Sequence, residues 1–272
     1  MAAEISPGPA WLNPAGGLRY HFRGFRHSRR LWWPFRFALA EWLYAWQPPE
    51  RRLVVVGPSA GYCIEPLTLE RFDELICLEP DPIARYLFAR RLARAPLEKR
   101  PILHFEASDL ILKEPEHFGS FLAKVDDAAV LFSNFLGQLR VLLAVKGASD
   151  ARLAEVKRAV TASLEGRSWA SFHDRVSGAL EPGSSDPLAS ERRLSDEEMV
   201  ETFYGHHVLD RDAALVGVDG KRPLLDHLTD GIFPADRPHR YFVWQILPGL
   251  YHLIEATCAV KTSDNGAVAH EG

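Results

Sequence analysis

The fold is indicated by residues 53–62, which read Leu-Val-Val-Val-Gly-Pro-Ser-Ala-Gly-Tyr. Four apolar, mostly β-branched residues that stop at Gly57 predict a short buried strand of a parallel sheet. Glycine at positions 57 and 61 lets the following turn approach a neighbouring group closely. A helix is expected to follow over residues 62–70. Ligands of open parallel sheets bind at the carboxyl ends of the strands, so this turn is the first candidate site.

The chain then repeats the same unit. Further strands are predicted at 74–79, 102–105, 128–132 and 169–172, and helices at 81–95, 115–124 and 150–164. Asp81 followed by Pro82 supplies an N-cap and a first-turn proline to the first of these helices. Strands that alternate with helices imply right-handed crossovers and a parallel sheet covered on both faces.

The last third of the chain does not continue this alternation of strands and helices. Ser195 and Glu198 have the spacing of a capping box, which predicts a helix to about residue 204. Residues 205–239 are polar and irregular, and we expect an ordered insertion that closes over a pocket bordered by Asn134 and His173. Strands at 241–247 and 250–260 are joined by Pro248-Gly249, the order that a type II turn prefers, so they should pair antiparallel.

Five strand–helix units followed by an antiparallel hairpin resemble the class I S-adenosylmethionine-dependent methyltransferase fold. The resemblance covers about residues 50–262 and implies an α/β, Rossmann-like methyltransferase fold, with a mostly parallel seven-stranded sheet and a C-terminal antiparallel hairpin. A dinucleotide-binding Rossmann domain ends with parallel strands instead, and this chain has no GxGxxG sequence. We therefore expect an N-terminal extension with a helix (1–49), the methyltransferase-like domain (50–262, insertion 205–239) and a disordered tail (263–272).

The resemblance identifies the turn after the first strand as the motif that binds S-adenosylmethionine. The implied binding residues in this turn are Gly57, Pro58, Ser59, Ala60, Gly61 and Tyr62. Two positions differ from the family's pattern, since Val55 replaces a usual acid and Ser59 a common middle glycine. Glu79 ends the second strand, beside Pro80, where a carboxylate can accept both hydrogen bonds of a ribose diol.

The ends of the third and fourth strands supply the other implied contacts. Ser108 and Asp109 follow the third strand, where the family often contacts the adenine amine with an acid. Ser133 and Asn134 close the fourth strand, where the family lines both cofactor and substrate. Polar residues directly after five apolar ones are hard to explain as core, which favours a functional interpretation of both.

Asn134 and His173 are the candidates for catalysis. A strand-end histidine suits a general base because its ordinary pKa is about 6.5. Adjacent residues of an extended chain point to opposite sides, so Asp174 is not expected to orient His173, and a purely structural turn is the alternative. No metal site is predicted, because the cysteines are far apart and the late histidines lack a ligand spacing. These histidines are His206, His207, His227 and His239.

The net charge and the composition limit the classes of binding partner that we expect. The net charge of −4 over 272 residues argues against a dedicated nucleic-acid binder. Arg19 to Arg36 nevertheless contains six arginines interleaved with aromatic residues, the composition of a nucleic-acid-contacting arm. We favour a helical cap whose aromatic residues pack on the domain while its arginines stay solvated. No signal peptide or bilayer-length apolar segment is recognisable, so a cytoplasmic protein without a membrane partner is expected.

Two functions follow from these features. The first is S-adenosylmethionine-dependent methyl transfer to a small molecule, in which the protein mainly aligns the reactants and excludes water. The second is a non-catalytic or repurposed nucleoside-cofactor-binding protein on the same fold, and the departures at Val55 and Ser59 favour it.

Overall fold

A computed structural model describes residues 17–107, 110–145, 147–205 and 224–261. Its strands are β1 (Arg52–Val56), β2 (Glu74–Leu78), β3 (Ile102–Glu106), β4 (Ala128–Ser133), β5 (Trp169–Gly178), β6 (Leu188–Ser190), β7 (Leu225–Asp226), β8 (His239–Leu247) and β9 (Leu250–Ala259). Its α-helices are α1 (Gly17–His27), α2 (Trp33–Ala45), α3 (Pro82–Arg94), α4 (Leu110–Lys113), α5 (Pro115–Ala123), α6 (Phe135–Val145), α7 (Asp150–Ser163) and α8 (Asp196–Tyr204).

All of these strands belong to one sheet. Their order is β3-β2-β1-β4-β5-β9-β8-β6, with β7 paired to β5. The first five strands are mutually parallel, whereas β9 runs antiparallel to both β5 and β8. The dinucleotide-binding order continues with a sixth parallel strand. An antiparallel strand in that place makes this the Rossmann-like methyltransferase fold.

The expected number of seven strands is wrong, because the described part of the sheet has nine. Leu188–Ser190 adds an edge strand to β8, and the two residues of β7 pair with β5 beyond a bulge between Asp174 and Val176. The strand predicted at 169–172 continues to Gly178, because β9 pairs with it along its whole length.

The predicted helix at 62–70 is also wrong, since only a short 3-10 helix forms, at Pro66–Leu69. Gly61 has a φ of +67°, which ends the preceding turn in a non-helical conformation. Pro66 holds Glu65 in an extended conformation, as the residue before a proline usually is. The capping box of α8 and the N-cap of α3, in which Asp81 accepts from the Ile83 amide, are confirmed.

Each face of the sheet buries an apolar layer. Leu53 and Val55 face the side covered by α2 and α3, while Val54 and Val56 face the side covered by α4 to α7. The alternation explains why β1 is apolar at every position, since both of its faces are covered. Its carboxyl end is therefore fixed from both sides where the Gly57–Gly61 turn begins.

The N-terminal helices pack onto the same sheet. Trp32 is fully buried, and its indole N–H donates to the Ile246 carbonyl of β8 at 3.0 Å. The expected cap is wrong in two respects. Phe25 is 83% exposed, and Phe22 and Trp33 are also more than half exposed. Arg36 is buried and pairs with Glu65 at 2.7 Å instead of staying solvated. None of the described helices is both long and apolar enough to cross a bilayer.

Candidate functional site

The turn after β1 is held in one conformation by backbone hydrogen bonds. Gly57 donates to the Leu78 carbonyl at 3.0 Å, and Gly61 donates to the Pro58 carbonyl at 2.8 Å. Ser59 has a φ of +48°, a value uncommon for a residue other than glycine. Pro58 and Ala60 are buried in the turn. The turn is therefore a tight loop at the carboxyl edge of the sheet.

The two glycines of the turn are required by packing inside the protein. A Cβ at Gly57 would lie 3.1 Å from the Cβ of Phe135, the first residue of α6. A Cβ at Gly61 would lie 2.4 Å from Cδ2 of Phe88 in α3, which is closer than side chains approach. Both glycines also have positive φ values. They allow α3 and α6 to approach the turn. The prediction from the sequence was that these glycines allow a ligand to approach it.

Glu79 connects this turn to the start of α3. The Ser59 amide donates to Oε2 of Glu79 at 2.9 Å, and the Asp81 amide donates to Oε1 at 3.0 Å. Glu79 is buried, and burial raises the pKa of its carboxyl to about 7, although the two amides partly offset this. A carboxylate oxygen has two lone pairs, so each oxygen can still accept a second hydrogen bond.

A cavity of about 400 Å³ opens at the carboxyl ends of β2 and β3. Leu78, Leu110 and Phe121 supply the apolar part of its lining. The rest of the lining is polar and consists of Glu106, His117, Ser120 and Lys124. Pro80 is exposed directly after Glu79. Ser108 and Asp109, which were expected to contact adenine, lie outside the described residues.

A second group of polar side chains converges on Asp174 in β5. Asn134 donates through Nδ2 to Oδ2 of Asp174 at 3.1 Å and accepts from the Asp174 amide at 2.8 Å. Gln138 donates to the same oxygen. A Cβ at Gly137 would lie 2.5 Å from the Asp174 nitrogen, so glycine is required for this approach. Asn134 and Gln138, which follow β4, thus contact β5. Ser133, the last residue of β4, is also buried.

Two histidines complete this group. Nδ1 of His252 in β9 lies 3.0 Å from Oδ1 of Asp174. His227, which follows β7, contacts the Gly137 carbonyl through Nδ1 at 2.6 Å and the Ser177 hydroxyl through Nε2 at 2.9 Å. Burial alone would raise the pKa of Asp174, but His252, His227 and Asn134 outweigh it and lower the pKa to about 2.

Sequence reasoning missed Asp174 and His252 as members of one site. The only available signal was a histidine inside an apolar strand, between Tyr251 and Leu253. Its position opposite Ser177 depends on the pairing of β5 with β9 and on the bulge after Asp174. Neither the pairing partner nor the bulge follows from local sequence patterns.

His173 lies apart from this group. It is 1% exposed, and its Nδ1 is 3.0 Å from the Ser171 hydroxyl. Its ring lies 5.9 Å from that of Phe233, and burial lowers its pKa to about 4. The expectation that His173 and Asp174 point to opposite sides is confirmed. The structure therefore brings Asn134 to Asp174 and keeps His173 away from both.

Part of the 205–239 insertion packs along β5. His227 lies on the Asp174 side, while Phe233 stacks on Trp169 with ring centres 4.4 Å apart, on the His173 side. Residues 206–223, with His206 and His207, lie outside the described residues.

An aromatic cluster links the turn to the Asp174 group. We use this name for Tyr20, Trp32, Tyr62 and Trp244. Tyr20 lies 5.8 Å from Tyr62, and Trp32 lies 5.0 Å from Trp244, measured between ring centres. The Trp244 ring is 5.5 Å from that of His252. The cluster thus extends from α1 and the turn after β1 to His252, which contacts the buried carboxylate of β5.

Comparison with known proteins gives similarity of structure alone. No family model and no curated protein matches the chain. The sugar N-methyltransferase KedS8 from Streptoalloteichus sp. ATCC 53650 is 14% identical, with a TM-score of 0.35 over 89% of this chain and 78% of that one. The N-methyltransferase NodS from Bradyrhizobium japonicum WM9, in complex with S-adenosyl-L-homocysteine, is 12% identical, with a TM-score of 0.36 over 60% and 82%. The amino pentose methyltransferase CalS10 from Micromonospora echinaspora is 19% identical, with a TM-score of 0.33 over 56% and 54%.

Proposed function

We propose that the protein transfers a methyl group from S-adenosylmethionine to a small molecule. One observation carries this proposal: in a sheet of the methyltransferase order, Glu79 at the end of β2 is hydrogen-bonded to the turn that ends β1. We take these as the two parts of a nucleoside site, because ligands of such sheets bind at the carboxyl edge.

The described residues fit the parts of this cofactor. Glu79 retains lone pairs for the ribose hydroxyls, and the cavity beside Leu78 and Leu110 suits the adenine ring. Ser133 and Asn134 at the end of β4 would adjoin the methionine portion. The bound cofactor supplies an electrophilic methyl group on a sulfonium.

The remaining work of the protein is alignment and exclusion of water. Methyl transfer is an in-line displacement, so the acceptor atom must be held close to the methyl carbon. Aromatic faces and a carboxylate both favour cationic groups, so we propose the acceptor compartment on the side of the turn nearest the aromatic cluster and Asp174. Asn134 holds Asp174 in place through two hydrogen bonds.

A non-catalytic cofactor-binding protein is the second candidate, and the turn itself favours it. Phe135 and Phe88 occupy the space beside the two glycines, and both Glu79 oxygens already accept backbone hydrogen bonds. Such a protein would bind the cofactor and yet show no transfer of the labelled methyl group to any acceptor.

Thermal shift with S-adenosylmethionine, S-adenosylhomocysteine and NAD tests the proposal, because a ligand that binds the folded state raises the unfolding midpoint. We expect both sulfur nucleosides to raise the midpoint and NAD to leave it unchanged. Glu79→Ala should weaken binding by about 1.5–3 kcal/mol, the contribution of hydrogen bonds to a charged group. The exposed Glu116→Ala is the matched control and should bind normally. A response to NAD alone would contradict the proposal.

A further inference from the structure

Asp174, His227 and His252 form a buried cluster where β5, β7 and β9 meet. Each offers one donor atom, and these atoms lie within 4.8 Å of one another. Asp174 is fully buried, and the side chain of His252 is 13% exposed. One carboxylate and two imidazoles are a recurrent donor set for first-row transition metals.

Asp174 and His252 meet through one short contact between buried atoms. Oδ1 of Asp174 and Nδ1 of His252 are 3.0 Å apart, but both are buried without a hydrogen-bond partner among the described residues. An ion bound by both atoms would give each of these buried polar atoms a further partner.

The groups around the cluster orient its donor atoms. Asn134 and Gln138 both donate to Oδ2 of Asp174, which leaves Oδ1 directed at His252. The Gly137 carbonyl lies 2.6 Å from Nδ1 of His227, the backbone contact that commonly fixes a metal-binding histidine. Nε2 of His227 is then the donor atom, and the Ser177 hydroxyl, 2.9 Å away, adds an oxygen beside it.

Charge favours a cation at this place. Asp174 forms no ion pair with an arginine or lysine within the described part of the chain. The next residue, Arg175, points elsewhere and pairs with Asp196 and Glu255. A buried carboxylate needs a balancing charge, because an uncompensated charge in the interior is costly.

We infer that Asp174, His227 and His252 bind a divalent transition-metal ion such as Zn²⁺. Two nitrogen donors favour Zn²⁺, Co²⁺ or Fe²⁺ over Mg²⁺ and Ca²⁺, which prefer oxygen donors. The site lies against Trp244 of the aromatic cluster, so the ion would face the compartment proposed for the acceptor. None of the three residues belongs to the proposed nucleoside site, so a metal titration tests this inference independently of cofactor binding.

The test is calorimetric titration of the chelator-treated, dialysed full-length protein with Zn²⁺. We expect one saturable site per chain in the wild type and its loss in His252→Ala and in His227→Ala. His117→Ala is the control, because His117 and Glu114 form an exposed histidine–carboxylate pair and should not affect the site. Gln138→Leu should weaken binding by about 10–100-fold, the usual effect of removing a group that orients a ligand.

Circular dichroism of each variant separates loss of the site from unfolding, and His252→Gln keeps the side-chain volume if the alanine variant does not fold. The absorption spectrum of the Co²⁺-loaded protein should show the ligand-field bands of mixed nitrogen and oxygen donors, and His252→Gln should abolish them. Absence of saturable Zn²⁺ binding in the wild type would overturn the inference, as would undiminished binding in folded His252→Ala.

Discussion

Glu79 illustrates how one side chain can serve both the fold and a site. Its carboxyl joins the turn after β1 to the first residues of α3, and burial brings its pKa near neutrality. Gly57 and Gly61 show the same overlap, since packing against Phe135 and Phe88 already requires glycine. A Gly57→Val variant would therefore be strained with or without a ligand, and Glu79 is the more informative residue to change.

The stability contributed by Glu79 should depend on pH. Its pKa is about 7 in the folded protein and 4.5 ordinarily, so stability is fully present below about pH 4.5 and is lost as pH rises through 7. Relative to Glu79→Gln, the wild type should therefore lose up to about 3 kcal/mol between pH 5 and pH 8. Unfolding midpoints of both proteins at the two pH values measure this, with Glu116→Gln as control. A difference that does not change with pH would show that the carboxyl is not perturbed.

At the level of elements, α1 supports the turn from outside the sheet. His21 lies 3.3 Å from the Asp81 carboxylate, and Gly24 lies directly against the Tyr62 ring. A helical cap was expected from the sequence over residues 19–36, and most of α1 and the first turn of α2 lie there. The α-helix expected over 62–70 would have Pro66 in its interior, and only a 3-10 turn forms, at Pro66–Leu69.

Gly24→Ala tests whether the close packing of α1 against Tyr62 outweighs the higher helix propensity of alanine. A Cβ at Gly24 would lie 2.4 Å from Cδ2 of Tyr62, so the ring or the helix must move. Alanine elsewhere in a helix stabilises by about 0.5–1 kcal/mol relative to glycine. Gly119→Ala in α5 is the matched control, since its Cβ would meet only the Ser163 hydroxyl at 3.5 Å. We expect a lower unfolding midpoint for Gly24→Ala and a slightly higher one for Gly119→Ala. Equal shifts of the two unfolding midpoints would mean that a Cβ at position 24 does not disturb the packing of α1 against the turn.

Over the whole molecule, the parallel strands and the closing antiparallel hairpin could be predicted from sequence, and the Asp174 group could not. Five strand–helix units and a Pro248-Gly249 turn are local patterns, whereas the extra strands β6 and β7 have no such pattern. Asp174, His227 and His252 are far apart in the chain and meet only through the pairing of β5 with β7 and β9. The sequence analysis therefore predicted no metal site, because it searched for ligands close together in sequence.

The antiparallel half of the sheet is joined by a buried ionic network around Glu255 of β9. Its Oε1 lies 2.8 Å from Nδ1 of His239 in β8 and 2.9 Å from Nε of Arg193, while Oε2 lies 3.4 Å from Arg175 of β5. Burial opposes ionisation, but His239, Arg193 and Arg175 outweigh it and lower the pKa of Glu255 to about 2. The Glu255 carboxylate thus holds together β5, β8 and the segment that contains Arg193.

Glu255→Gln should destabilise the protein by about 3–5 kcal/mol, because breaking a buried pair leaves uncompensated cations. Glu74→Gln is the control, since Glu74 pairs with Arg52 but is 26% exposed, and it should cost about 1 kcal/mol or less. The folded pKa of Glu255 lies below its ordinary 4.5, so its contribution is present above about pH 4.5 and is lost as pH falls towards 2. Denaturant unfolding at pH 7 and pH 3 should therefore show a large deficit for Glu255→Gln that narrows in acid. A deficit of equal size at both pH values would mean that the variant disturbs packing and not the ionic network.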